Sequence, residues 1–277
     1  MTQTKNYYLI KAFILKKYGL LLPDDLKPLA RSHLCMFRTK YEIECWKKFL
    51  YSENKILGSK KLEELIDIFL VGHTSFFRHG PQFELFQKLV IPSIISDDNS
   101  QNRNEIDIKI WSAGCSTGEE PYSILISLME FFGTNYKNIK CGCLATDVSE
   151  SSLSKARKGV YSNTQSDGNF KSKYSNYIQS IDEGSFEVKN FVKREAVFRS
   201  FNLNSEEFPF KGNFQVIFCR NVLMYFNRKR RSRIVKNILN HLDYNGFLFV
   251  GSSEKFEYSS YGLIKVDHAV FKKVKPF

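Results

Sequence analysis

The spacing of hydrophobic and polar residues changes from helical to alternating at residue 106. From Ile106 to Ile110, isoleucine alternates with charged residues, which predicts a strand buried on at least one face. A loop of small residues follows from Ser112 to Gly118, and apolar residues then recur at helical spacing from Tyr122 to Met129. The pattern predicts a strand, a glycine loop and a helix, the arrangement with which an α/β sheet binds a nucleotide-like ligand.

The first third of the chain has helical spacing only. Apolar stripes recur every three or four residues and end near Gly19, Gly72 and Pro92. Residues 96–105 (SDDNSQNRNE) contain no apolar side chain, which is typical of a linker or surface loop. We therefore expect a small helical domain over residues 1–95, a linker over 96–105 and an α/β domain over 106–277.

Other segments of the α/β domain continue the strand and helix patterns. The predicted strands are 140–147, 213–221 and 246–251, with a hairpin-like pair over 261–274. Asn227 is a predicted N-cap for the helix that follows it. Residues 170–199 alternate apolar and polar side chains around a turn-like 182–184, which predicts a small antiparallel β insert. Partner recognition and a structural extension of the sheet are equally good explanations of the insert.

Composition indicates a globular chain without a membrane span. Of 277 residues, 43% are hydrophobic and 25% are charged, which is enough to build a core. No apolar run of about 18 residues occurs, and the start lacks the features of a secretory signal, so we expect a cytoplasmic protein. The six scattered cysteines lack the spacing of a zinc site, which predicts reduced thiols and no metal.

A net charge of +12 arises from 41 basic and 29 acidic residues. This excess is compatible with nucleic acid, an anionic membrane or an acidic protein as partner, and does not choose among them. Five of the six residues 228–233 are basic. A solvated helix face is the favoured interpretation of this cluster, and steering of an acidic partner or proximity to a membrane is the alternative.

The glycine loop argues against a phosphate ligand. Gly114 and Gly118 have neither the dinucleotide-binding spacing nor a following Lys-Ser/Thr, and Glu119 and Glu120 would repel a phosphate. These acids instead suit S-adenosylmethionine, which carries an ammonium and a sulfonium and no phosphate. A plain tight turn before an acidic helix start fits the loop equally well. Asp147, at the end of the second predicted strand, suits ribose hydroxyls, or caps the next helix.

Several blocks resemble the chemotaxis receptor methyltransferases of the CheR type. The most specific is WSAGCSTGEEPYS (111–123), which is similar to the family signature. The other blocks are TSFFR (74–78), ATDVSESSLSKARKGVY (145–161), FNL (201–203), FQVIFCRNVLMYF (214–226) and GFLFVGSSE (246–254). They occur in family order and cover most of the chain from about residue 65.

The resemblance implies an α/β fold: a class I methyltransferase Rossmann-like sheet with a small antiparallel β insert, preceded by an all-helical N-terminal domain. It implies methyl transfer from S-adenosylmethionine to glutamate carboxylates on the cytoplasmic domains of chemoreceptors, leaving S-adenosylhomocysteine. We expect a monomer that binds no nucleic acid and lies at most near a membrane.

The resemblance also assigns residues to the site. The expected cofactor contacts are Thr74, Arg78, Glu119, Asp147, Asn202, Leu203, Arg220 and Asn221. Tyr225 is a candidate for positioning the substrate carboxylate, with a plain core or surface tyrosine as the alternative. Because glutamate is ionised near neutral pH, the reaction needs no general base.

Two residues depart from the family pattern. Family members commonly have asparagine where this chain has Gly72, and often aspartate where it has Gln215. The loss of an amide at residue 72 leaves open a module that binds cofactor or receptor without transferring methyl. A nucleic-acid methyltransferase is a further alternative suggested by the basic charge, and it ranks well below because neither of its usual catalytic motifs is present.

Overall fold

The computed structural model describes residues 3–22, 24, 27–56, 59–70, 74–100, 106–166, 169–254 and 257–274. The described part of the N-terminal third is helical, as expected. Its helices are α1 (Gln3–Tyr18), α2 (Lys27–Lys40), α3 (Trp46–Asn54), α4 (Lys60–Asp67), α5 (Gly80–Leu85) and α6 (Ile91–Ser100). A π-helical segment, Phe86–Val90, joins α5 to α6. Because α6 extends to Ser100, the first half of the expected linker is helix, and residues 101–105 lie outside the described residues.

The rest of the chain forms two sheets with helices between their strands. The strands are β1 (Asp107–Ala113), β2 (Lys140–Asp147), β3 (Val160–Ser162), β4 (Ile178–Ser180), β5 (Ser185–Val188), β6 (Ala196–Ser200), β7 (Phe214–Cys219), β8 (Leu242–Val250), β9 (Leu263–Asp267) and β10 (Val270–Lys273). The helices are α7 (Glu119–Phe132), α8 (Glu150–Lys158), α9 (Phe170–Lys173), α10 (Asn190–Lys193) and α11 (Arg228–Asn240).

The large sheet has the order β6-β2-β1-β7-β8-β10-β9. Strands β6, β2, β1, β7 and β8 are parallel, and β10 runs antiparallel to both of its neighbours. This is the class I methyltransferase topology, with a reversed strand near one edge. The order of connection changes direction between β1 and β7, and open α/β sheets bind ligands at the carboxyl ends of the strands at such a point.

The β insert is real, but its expected boundaries of 170–199 are wrong at both ends. The small antiparallel sheet has the order β3-β5-β4, so it begins at Val160 and ends at Val188. Strand β6 instead pairs in parallel with β2 and forms the edge of the large sheet. Its residues alternate because one face of this edge strand is solvated, with Val197 exposed and Phe198 buried, and that pattern resembles a hairpin strand.

Apolar cores lie on both faces of the large sheet. Ile108 and Ile110 of β1 join one core with α6 and α7, whereas Trp111 and Ala113 join the other with α11. Residues of α1, α2 and α3 belong to this second core, so the N-terminal helices share a hydrophobic core with the sheet. No helix among the described residues is long and apolar enough to cross a bilayer.

The side chains of Gln215 and Asn227 stabilise the fold through hydrogen bonds to the main chain. Gln215 bridges β7 to β1: its Oε1 accepts from Lys109 N at 2.8 Å and its Nε2 donates to Asp107 O at 2.7 Å. This departure from the family pattern therefore takes part in strand pairing. Asn227 is the N-cap of α11, as expected, because its side-chain oxygen accepts from Arg230 N at 2.9 Å.

Candidate active site

A cavity of about 380 Å³ opens at the carboxyl ends of β1, β2 and β7. Its walls come from the loop after β1, the end of β2, the loops after β6 and β7, and the TSFFR segment. Eight residues singled out from the sequence line it: Thr74, Arg78, Asp147, Asn202, Leu203, Arg220, Asn221 and Tyr225. Segments far apart in sequence therefore converge at the point where a doubly wound sheet binds its ligand.

Glu119 was expected to contact the cofactor, but it does not line the cavity. It is fully buried at the start of α7, and both carboxylate oxygens accept from the Thr117 hydroxyl, at 2.9 and 2.7 Å. Gln165 Nε2 donates a further hydrogen bond, 2.5 Å long, to Glu119 Oε1. The next residue, Glu120, lines the cavity instead. Burial raises the pKa of Glu119, while the bonds from Thr117 and Gln165 favour its ionised form.

Glu120 forms a buried ion pair with Arg220. Arg220 Nη1 lies 3.1 Å from Glu120 Oε2, and the Ser112 hydroxyl donates to Glu120 Oε1 at 2.7 Å. Arg220 Nη2 donates to the main-chain oxygen of Arg78. The pair therefore joins the start of α7, the loop after β7 and the TSFFR segment. Burial raises the pKa of Glu120, an effect that the Arg220 charge opposes.

Asp147 is the second carboxylate in the cavity wall. Its Oδ2 accepts from Ser116 N at 2.8 Å and its Oδ1 from Ser149 N at 3.0 Å, so the β1 loop and the end of β2 fix its orientation. An ionised carboxylate has about four acceptor positions, so further capacity remains for a ligand. Ser149, rather than Asp147, is the N-cap of α8. Burial raises the pKa of Asp147.

The glycines of the β1 loop are required by its shape. Gly114 has a φ of +84°, and a Cβ there would lie 2.3 Å from Val222 Cγ2. Gly118, the N-cap of α7, has a φ of +97°, and its Cβ would lie 2.7 Å from that of Ala156. A larger residue at Gly114 would therefore push the β1 loop away from the loop after β7, and one at Gly118 would push it away from α8.

Sequence reasoning missed the contribution of the N-terminal helices. Leu20, just after α1, and Leu70, just after α4, line the cavity. Leu21 N donates to the main-chain oxygen of Tyr225 at 2.7 Å, which fixes this segment against the loop after β7. No local pattern in the sequence marks these residues, because they are ordinary apolar residues at the ends of helices.

The small sheet is bonded directly to the cavity loop. The Tyr161 hydroxyl donates to the main-chain oxygen of Thr117 at 2.7 Å. Gln165 binds Glu119 through its side chain and accepts from Phe76 N at 3.0 Å through its main-chain oxygen. The residues at the start of the insert thus hold the β1 loop and the TSFFR segment together.

The cavity lining carries charges of both signs, because Arg78 and Arg220 line it together with the carboxylates, so it suits a ligand that itself has cationic and anionic groups. Glu120 and Asp147 supply carboxylates, while Leu203, Phe201 and Leu70 supply apolar surface. Among the described residues, no cluster of His, Cys, Asp and Glu could hold a metal ion. Gly72, the departure noted in the sequence, lies outside the described residues.

Comparison with known proteins identifies relatives along most of the chain. Residues 72–270 match a family model described as "CheR methyltransferase, SAM binding domain". A chemotaxis protein methyltransferase of Borreliella burgdorferi is 34% identical over 254 residues, covering 92% of this chain and 89% of the relative. Chemotaxis protein methyltransferase 1 of Pseudomonas aeruginosa is 30% identical over 252 residues, covering 90% and 89%. Chemotaxis protein methyltransferase Cher2 of Pseudomonas putida is 29% identical over 256 residues, covering 91% of each chain.

Proposed function

The chain belongs to the CheR methyltransferase family, and from this premise we propose that it methylates glutamate side chains of chemoreceptors to form methyl esters. S-adenosylmethionine, the cofactor of the family's matched domain, supplies an activated methyl group on a sulfonium. The observation that carries the proposal is the cavity itself, in which Asp147 at the end of β2 and Glu120 at the start of α7 lie beside apolar surface at the carboxyl edge of the parallel strands.

In this proposal, the carboxylates orient the two ends of the cofactor. Asp147 accepts hydrogen bonds from the ribose hydroxyls with the lone pairs that Ser116 and Ser149 leave free. Glu120 takes the ammonium of the methionine end, which is the role that the sequence had suggested for Glu119. Arg220 holds Glu120 in place. Thr74, Arg78, Asn202, Leu203 and Asn221 line the remaining surface available to the cofactor.

The chain's contribution to the reaction is positioning and exclusion of water. The attacking receptor carboxylate is ionised near neutral pH, so no residue has to remove a proton from it. Holding the carboxylate oxygen in line with the methyl group and the sulfur removes orientational entropy from the barrier. Tyr225 lines the same cavity as Asn221, and its hydroxyl is the group proposed to orient the substrate carboxylate.

Transfer of a radiolabelled methyl group tests the proposal. The purified chain is incubated with methyl-labelled S-adenosylmethionine and receptor cytoplasmic fragments, and the labelled product is treated with mild base. We expect the label to transfer to the receptor and to leave it as volatile methanol, because methyl esters hydrolyse in base. A label that resists base would exclude an ester.

Calorimetry separates the enzyme from a non-catalytic module. An enzyme binds both S-adenosylmethionine and S-adenosylhomocysteine and transfers the label. A binding module retains cofactor affinity without transfer, and a chain that binds neither compound contradicts the proposal. Receptor fragments in which glutamine replaces the glutamates are the control, because an amide does not attack the sulfonium.

A further inference from the structure

Glu254 binds the backbone of the loop that carries three of the proposed site residues. Its Oε2 accepts from Asn221 N at 3.0 Å and from Gly251 N at 2.7 Å, and its Oε1 accepts from Met224 N at 3.1 Å. One carboxylate thus receives three main-chain N–H groups. Hydrogen bonds to an ionised carboxylate are stronger than those between neutral groups, so they fix the backbone that they contact.

The loop needs this support because its conformation is unusual. Asn221 has a φ of +59°, in the left-handed region that, glycine apart, only asparagine and aspartate adopt with any frequency. Met224 lies within the short 3₁₀ helix Leu223–Tyr225, whose N-cap residue makes no side-chain capping bond. Glu254 Oε1 therefore acts as the missing cap for that turn, since it accepts one of its free N–H groups.

Gly251 makes room for the contact. A Cβ at Gly251 would lie 2.8 Å from Asn221 N and 2.8 Å from Glu254 Oε2. The close approach of the end of β8 to the loop after β7 therefore depends on glycine at this position. The GFLFVGSSE block of the sequence thus contains both the carboxylate and the space that it needs.

We propose that Glu254 is a positioning residue for methyl transfer, which acts by holding Asn221 and Tyr225 in place around the cavity. Its two oxygens have separate tasks. Oε2 fixes Asn221, a proposed cofactor contact, and Oε1 fixes the turn that presents Tyr225, the proposed substrate contact. The inference rests on the proposed function, and it predicts that the two tasks can be separated by substitution.

The two variants for the test are Glu254→Gln and Glu254→Ala. The glutamine amide oxygen can still accept from Asn221 and Gly251, while its NH₂ group faces Met224 N without an acceptor. We expect this variant to keep its affinity for S-adenosylhomocysteine and to lose kcat by about 10- to 100-fold, the effect of a lost hydrogen bond to a charged group. Glu254→Ala loses both tasks, so we expect cofactor affinity to fall as well.

The matched control is Glu257→Gln, which removes the same charge from an exposed residue three positions further on. Calorimetry with S-adenosylhomocysteine, kcat and KM with receptor fragments, and thermal unfolding are measured on all four proteins. Wild-type kcat and affinity in both Glu254 variants would overturn the inference. So would a loss explained wholly by the unfolded fraction.

The same experiment distinguishes failure of the inference from failure of the proposed function. If wild-type protein transfers no methyl group, the proposed function fails, and with it the role of Glu254 in transfer, while the calorimetric comparison of Glu254→Ala with wild type still tests whether Glu254 holds Asn221 in place for the cofactor. If wild type is active and the Glu254 variants match Glu257→Gln, only the inference fails. Because Glu254→Gln is nearly isosteric with the native residue, it carries the test even if the alanine variant does not fold.

Discussion

Arg220 and Glu120 form an ion pair inside the cavity wall, with 3.1 Å between Nη1 and Oε2. The Arg220 side chain is 2% exposed and that of Glu120 13% exposed, so solvent screens the pair weakly. Arg220 also donates to the main chain of Arg78, and Glu120 accepts from Ser112. A pair with this many partners is expected to determine where the cavity carboxylate lies.

Removing one partner of the Arg220–Glu120 pair should lower the free energy of unfolding more than removing both partners does. Arg220→Met leaves Glu120 buried without its cation, and we expect the free energy of unfolding to fall by about 3–5 kcal/mol. The double variant Glu120→Gln/Arg220→Met should recover part of that loss. Urea unfolding of the four proteins in the cycle measures this, and additive losses would show that the two side chains are not coupled.

Substitutions at Glu119 and Glu120 should affect cofactor binding differently. Glu120→Gln removes the carboxylate that faces the cavity, and we expect S-adenosylhomocysteine to bind about 10- to 100-fold more weakly, since a charge-assisted contact is lost. Glu119→Gln changes a buried group bonded to Thr117 and Gln165, and it should leave the affinity near that of wild type. Calorimetry with S-adenosylhomocysteine measures the affinity of both variants and tests this difference. An equal loss in both variants would restore Glu119 to the role expected from the sequence.

Cofactor affinity and stability should depend on pH in opposite directions. Burial raises the pKa of Glu120 and of Asp147, so each takes up a proton in the folded protein at a higher pH than in the unfolded chain. As pH falls from neutral through these raised pKa values, cofactor affinity should fall, because a protonated Glu120 attracts the ammonium poorly and a protonated Asp147 is a weaker acceptor for the ribose hydroxyls. Over the same window, down to the ordinary carboxyl pKa of about 4, these groups make the folded protein without cofactor more stable.

Calorimetry and thermal unfolding measured across this pH range test the opposition. In Glu120→Gln, one titrating carboxyl group of the cavity wall is gone, so both pH dependences should become shallower. Cofactor affinity that stays constant from neutral pH down to the ordinary carboxyl pKa would mean that Glu120 and Asp147 do not bind the cofactor in their ionised forms.

Alanine at Gly114 should damage the cavity, whereas alanine at Gly142 should not. At Gly114 the left-handed φ alone costs about 1–2 kcal/mol, and the added Cβ would clash with Val222. At Gly142, within β2, a Cβ meets no atom within 4 Å, and the change should stabilise by about 0.4–1 kcal/mol. Denaturant unfolding and cofactor affinity report both effects. A tolerated Gly114→Ala would show that the two loops can separate without consequence.

The local elements of the site could be predicted from the sequence. The strand, loop and helix around Gly114 appear where the spacing placed them, and β2 has the expected bounds of 140–147. These features depend on short-range periodicity and on glycine, which the sequence displays directly. The convergence of eight expected residues on one cavity came from the family resemblance, whose motifs carry long-range information that periodicity lacks.

The remaining features depend on geometry that no local pattern encodes. Glu119 and Glu120 point about 100° apart on a helix, so which one faces the cavity depends on how α7 packs against the sheet. Apolar and polar residues alternate in the edge strand β6 as they do in a hairpin strand, so the predicted boundaries of the insert wrongly include β6. Leu20 and Leu70 reach the cavity through packing of the N-terminal helices.

The bonds from Tyr161 and Gln165 to the β1 loop have a thermodynamic consequence for the small sheet. Binding free energies at two coupled sites are reciprocal: if a protein bound to the small sheet changes the affinity for the cofactor by some factor, the cofactor changes the affinity for that protein by the same factor. Any ligand of β3, β4 and β5 that favours one arrangement of Gln165 would therefore sense whether the methyl donor has been loaded.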